Sequence, residues 1–137
     1  MNQRLFVLVT LLVLSVTLSA CGESGPTTNI EVNMVEFTFT PDEFTIPAGQ
    51  EISITATNNG AVNHDFVIFK FGTDAGDKFD DEDKENIYWQ VEVGSGQSTT
   101  TTFLAPGEPG EYAITCGIEG HLQAGMSGTL VVVAAGE

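Results

Sequence analysis

Glu111-Tyr-Ala-Ile-Thr-Cys116-Gly-Ile-Glu-Gly-His121-Leu-Gln-Ala-Gly-Met126-Ser-Gly-Thr-Leu130-Val-Val-Val133 is the stretch whose reading decides the fold. Tyr112, Ile114 and Cys116 fall on one face of an extended chain, and Gly128–Val133 is rich in β-branched residues. Both ends therefore predict strands. The segment between them is a loop that places Cys116, His121 and Met126 at a Cys-x4-His-x4-Met spacing. Its glycines at 117, 120 and 125 let the backbone turn tightly around a small object. A loop this short costs little chain entropy to close, so three side chains gather cheaply.

Outward from this loop the chain reads as all-β. Ile30, Val32 and Met34 alternate with Glu31, Asn33 and Val35, and no helical period is visible. Phe37–Thr40 and Phe44–Ile46 flank a Pro41-Asp42 turn, and Pro47-Ala48-Gly49 signals another. Ile52–Thr57 alternates until Asn58-Asn59-Gly60 breaks it, Asp65–Phe71 reads as a buried strand, and Ser98–Leu104 is Thr-rich. Asp74–Glu85 differs: it is densely acidic, with Phe79 its only large apolar side chain, and is readable as a loop or a short helix. Ile87, Tyr88 and Trp89 are expected to return the chain to the core. Seven or eight short strands with turns at this spacing predict a β-sandwich or barrel of one domain.

The N-terminus is set apart. Leu5–Leu18 is almost wholly apolar behind Arg4, too short to span a bilayer and suited to a secretion signal. Leu18-Ser19-Ala20-Cys21 resembles a bacterial lipoprotein signal. That resemblance implies a signal over residues 1–20, cleavage before Cys21 and lipidation of Cys21. Residues 21–28 then form the lipidated Cys and tether, and 29–137 the domain. The expected location is the outer face of the cell membrane, on the periplasmic or extracellular side.

The 137 residues carry a formal charge of −15. Such acidity excludes non-specific nucleic-acid binding and opposes contact with anionic headgroups, so membrane attachment falls to the anchor. It attracts basic partners; solubility or salt adaptation explains the same composition. Cys21 and Cys116 are the two cysteines. With Cys21 lipidated, Cys116 has no disulfide partner, and a lone thiol in an exported protein calls for burial or ligation.

Both histidines of the chain fall where ligands would be. His121 sits in the loop, and His64 lies just before a strand, after Asn58-Asn59-Gly60. Two such loops meet at one end of a sandwich. One thiolate, two imidazoles and a thioether form a soft donor set. His2Cys with a weak axial Met is the blue-copper arrangement, so one type 1 copper ion is expected on His64, Cys116, His121 and Met126. Multicopper enzymes need further histidines, a binuclear copper site needs a second Cys in the loop, and no acid/base or nucleophile motif stands out. No catalytic residues are assigned. An exported copper chaperone or storage protein is the alternative reading.

At Asn63-His64-Asp65-Phe66, Tyr112–Cys116 and Gly120-His121…Gly125-Met126-Ser127-Gly128-Thr129-Leu130 the chain resembles the cupredoxins, small blue copper proteins. The five-residue steps on either side of His121 are most like those of auracyanin-type cupredoxins, which are membrane-associated. The resemblance implies a Greek-key sandwich or barrel and single-electron carriage by Cu(I)/Cu(II) cycling. It implies that Asn63 and Thr115, which flank ligands, hydrogen-bond across the two loops, and leaves open whether the Asn63 carbonyl approaches the copper. It further implies a monomer working with redox proteins such as a c-type cytochrome, a membrane oxidoreductase or a reaction centre. The partner surface would be Leu122 and Ala124 around His121, with Ala61 and Val62, and Asp80, Asp81, Glu82 and Asp83 would steer basic partners. Glu119 either sits near the metal, favouring the oxidised ion, or points into solvent.

Overall fold

The computed structural model describes residues 25–136. Cys21 and the expected signal lie outside the described residues. Nine strands form: β1 (Asn29–Val35), β2 (Thr38–Thr40), β3 (Glu43–Pro47), β4 (Glu51–Asn58), β5 (His64–Phe69), β6 (Ile87–Val93), β7 (Ser98–Leu104), β8 (Gly110–Thr115) and β9 (Ser127–Val133). They pack as two sheets, ordered β2-β1-β4-β7 and β3-β9-β8-β5-β6. The pairs β1/β4 and β3/β9 are parallel and the others antiparallel.

Period-two patterning explains most of this. In β4, Ile52, Ile54 and Ala56 are buried while Ser53, Thr55 and Thr57 face outward. The outward residues pair across to β7, with Thr55 Oγ1 3.0 Å from Thr100 Oγ1 and Thr57 Oγ1 2.9 Å from Ser98 Oγ. β5 instead buries Phe66, Val67, Ile68 and Phe69 in succession, because it lies inside its sheet between β8 and β6. Phe66 anchors the space between the sheets, with Phe39 and Phe44 edge-on at 5.3 and 5.6 Å. Such aromatic pairs each contribute about 0.5–1.5 kcal/mol beyond area burial.

Three expectations change. The strand count is nine, because Ile87–Val93 is a full strand rather than a short aromatic return. Within it Tyr88 is exposed, since β6 ends its sheet; its hydroxyl donates to the Leu104 carbonyl of β7 at 2.8 Å. Trp89 stacks on Phe103 at 4.8 Å, so the neighbouring edges of the two sheets are tied together. β5 stops at Phe69, and Phe71 lies exposed against Tyr112 at 5.3 Å. Asp74–Glu85 resolves as a loop that ends in one 3-10 turn, Asp83–Asn86, with Phe79 packed edge-on to Phe69 at 6.3 Å.

Candidate metal centre

The β8–β9 connection closes on itself through its backbone. Cys116 N–H donates to Met126 O at 3.1 Å, Met126 N–H to His121 O at 3.0 Å, and His121 N–H to Ile118 O at 3.1 Å. Gly125 N–H donates to Leu122 O at 2.8 Å. Gly120 and Gly125 take φ of +83° and +104°, values that side-chain-bearing residues adopt only under strain. The sequence therefore folds this segment into a ring in which all three candidate donor residues are buried.

His64 comes from the other loop. It opens β5, whose Val67 pairs with Thr115 immediately before Cys116. His64 Nδ1 lies 3.2 Å from His121 Nδ1 and 3.9 Å from Cys116 Sγ, and Cys116 Sγ lies 3.3 Å from His121 Nδ1. Atoms sharing one ion at bonds of about 2.0–2.3 Å stand at separations of this order. His64, Cys116 and Met126 are fully buried and His121 nearly so, at 7 % exposure. Among the described residues these two histidines and Cys116 are the one cluster of His, Cys and acidic side chains suited to a metal.

The electrostatics suit soft ligation. Burial pushes the Cys116 thiol up, opposed by backbone N–H groups of Asp65 and Ile118; the Asp65 N–H points at the sulfur from 3.4 Å. Burial, then the neighbouring His121, lowers the His64 pKa, and burial lowers that of His121. Both rings are thus held neutral, ready to donate a lone pair, while the thiol gives up a proton as it takes a metal. Two neutral imidazoles and one buried sulfur converging on a common point fit one type 1 copper ion.

A cupredoxin-like domain family matches residues 8–132. The chain belongs to the cupredoxin family. It is 32% identical to auracyanin-A of Chloroflexus aurantiacus, an alignment covering 94% of this chain and 96% of that one. Its fold matches a dithionite-reduced auracyanin from Roseiflexus castenholzii with a TM-score of 0.69 and 34% identity, covering 80% of this chain and 99% of that one. Auracyanin A, described as a "blue" copper protein, matches with a TM-score of 0.63 and 30% identity, covering 80% of this chain and all of the other.

The flanking residues behave differently from the expectation. Asn63 does not bridge to the β8–β9 loop. It is exposed; its Nδ2 donates to Glu92 Oε1 at 3.2 Å and its Oδ1 accepts from Ser95 N–H at 3.3 Å. The reason is the β5/β6 pairing, which sets Asn63 beside β6. Thr115 Oγ1 makes only long contacts, at 3.4 Å, to the carbonyls of Cys116 and Met126 at the two ends of the β8–β9 connection. The side chain that instead ties the His64 loop to the end of β6 is Asn58, which sequence reasoning treated as a loop breaker. Asn58 is buried; its Nδ2 donates to Val62 O and Val93 O, each at 2.8 Å, and its Oδ1 accepts from Gly60 N–H at 2.8 Å. Glu36 and Phe37, in the β1–β2 turn, were missed too. Phe37 meets the His121 ring edge-on at 5.0 Å. No local signal marks either one.

Of the residues expected to frame His121, Leu122 is half-buried and Ala61, Val62 and Ala124 are exposed. Glu119 is exposed and lines a surface cleft with Lys78, Lys84, Asp80 and Asp81. In the acidic loop Lys78 pairs with Asp80 at 3.1 Å and Lys84 with Asp81 at 2.6 Å. Glu82 is exposed, and Asp83 Oδ2 accepts from Asp80 N–H at 2.7 Å.

Proposed function

We propose that this cupredoxin is a single-electron carrier in which His64, Cys116, His121 and Met126 hold one type 1 copper. The observation that carries this is the convergence of three buried donors, 3.2–3.9 Å apart, from two loops. Copper held by such donors supplies a one-electron Cu(I)/Cu(II) couple. The chain contributes the rest. The backbone-closed ring fixes Cys116, His121 and Met126 in advance, so little reorganises when charge changes. Burial keeps water from the donors, and the Asp65 N–H offers the thiolate a hydrogen bond. His121, the most exposed donor, is the exit toward a partner; Phe37 lies edge-on to its ring, and Leu122 and Ala124 follow it in the loop.

The partner is a redox protein, such as a c-type cytochrome, a membrane oxidoreductase or a reaction centre, met by the chain as a monomer. The acidic loop around Asp80–Asp83 steers its basic face. Lipid on Cys21 holds the domain at the outer face of the membrane, with residues 21–28 as tether and 29–137 as folded unit. The matches to auracyanins support this reading. A closed, four-donor site disfavours a chaperone, which must hand copper on.

Adding Cu(II) to fragment 22–137 tests the site. An intense blue thiolate-to-copper band, bleached by reductant with the metal retained, is expected. A colourless protein would refute the ligand set, and loss of metal on reduction would favour a chaperone. Association with a basic cytochrome should slow steeply with added salt; a flat response would rule out steering.

A further inference from the structure

We propose that Glu36 is the positioning residue for His64, the acceptor toward which the ring's outer nitrogen points. This rests on the copper-carrier reading above. When His64 Nδ1, which faces Cys116 and His121, gives its lone pair to a metal, Nε2 carries the ring proton. That nitrogen is buried and has no hydrogen-bond partner among the described residues. The nearest carboxylate oxygen is Glu36 Oε1, at 4.0 Å. A hydrogen bond needs about 3 Å, so contact requires roughly 1 Å of movement by a half-exposed side chain.

Two further features hold the carboxylate in place. Glu36 Oε1 accepts from the backbone N–H groups of Ala61 and Val62, the latter at 3.2 Å, in the loop that leads to His64. Its own backbone N–H, then that of Ala61, lowers the Glu36 pKa, with a smaller contribution from Val62. Gly60 completes the arrangement: a methyl there would come within 2.6 Å of Glu36 Oε1 and 3.0 Å of His64 Nε2. The missing side chain at residue 60 is the space in which carboxylate and imidazole approach. A ligating histidine whose other nitrogen is held by a carboxylate has its tautomer and ring orientation fixed, and losing such a partner typically weakens metal binding ten- to a hundredfold.

The test uses the full chain, with Glu36→Ala, Glu36→Gln and Gly60→Ala. In the metal-free protein, 15N spectra report which nitrogen of His64 bears the proton. Nε2–H should dominate in the parent and in Glu36→Gln, which keeps an acceptor oxygen. The Nδ1–H form should grow in Glu36→Ala and Gly60→Ala. The Cu(II) dissociation constant should rise about tenfold or more in Glu36→Ala and stay within about threefold of the parent in Glu36→Gln. An unchanged tautomer in Glu36→Ala would overturn the proposal, even with weaker binding, because Glu36 would then only brace the loop. If Glu36→Ala fails to fold, the tautomer in Gly60→Ala decides. A parent chain that binds no copper would refute the carrier reading, and the tautomer measurement would still judge Glu36.

Discussion

The two loops that build the metal centre are made in opposite ways. The Cys116–Met126 segment is closed by its own backbone, through short-range bonds inside the loop and one Cys116–Met126 bond across its mouth. The Asn58–His64 segment is held by side-chain bonds to distant parts of the chain: Asn58 ties it to Val93, Glu36 to the β1–β2 turn, and Ser95 Oγ donates to the Gly60 carbonyl at 2.7 Å. The first loop can take its shape from local sequence. The second acquires its shape only when strands far apart in the chain have packed. A donor on the first is pre-set; the donor on the second is as well placed as its distant supports.

Breaking each loop should separate the two. Cys116→Ser removes the sulfur donor while keeping the size; blue absorbance should vanish and Cu(II) affinity fall by more than about a hundredfold, beyond what losing an outer partner costs. Titration followed by absorbance checks this. Asn58→Ala strikes the side-chain-built loop. Three hydrogen bonds go and buried carbonyls are left unpaired, so the metal-free protein should lose about 3 kcal/mol in guanidinium unfolding. Gly125→Ala strikes the backbone-built loop by forcing φ of +104° on a side-chain-bearing residue. About 1–2 kcal/mol should be lost in the same assay. A larger loss in Gly125→Ala than in Asn58→Ala would reverse the comparison.

The smallest effect concerns Asp65, where the loops touch. Burial, then the Glu92 charge, pushes its carboxyl up to about 6. The folded chain thus holds this proton more tightly than the unfolded chain, whose value lies near 4. The contribution is full below about pH 4 and is lost as pH rises through 6. Asp65 is only partly buried, so solvent screening trims the effect to about 1 kcal/mol. Metal-free Asp65→Asn should therefore gain about that much at pH 7 and nothing at pH 4, as read by unfolding at both.

The same contrast explains what the sequence made legible. Cys116, His121 and Met126 stand at fixed short spacings, and a backbone-closed loop brings such residues together with little outside help. Period-two patterns marked β1, β4 and β8, because one face of each is buried. His64 was findable because the chain has only two histidines. Glu36, bonded to Ala61 25 residues away, is an ordinary acid at a strand end until the sheets pack. Asn63 misled for the reverse reason. Its place beside a ligand suggested a bridge to the other loop, whereas strand pairing turned it toward Glu92. In the acidic loop, lysines every few residues pair with its aspartates, and a charge count alone does not show that its field is partly cancelled.

The tie between β6 and β7 matters for a crowded surface. The proposed lipid anchor would bring copies together at high effective concentration, the condition under which open sheet edges add strand to strand and aggregate. Here the Tyr88 hydroxyl occupies the Leu104 carbonyl and Trp89 covers Phe103, while the outer strands at the other side, β2 and β3, are three and five residues long. The edges are stitched or short, so copies brought side by side have little backbone to offer one another.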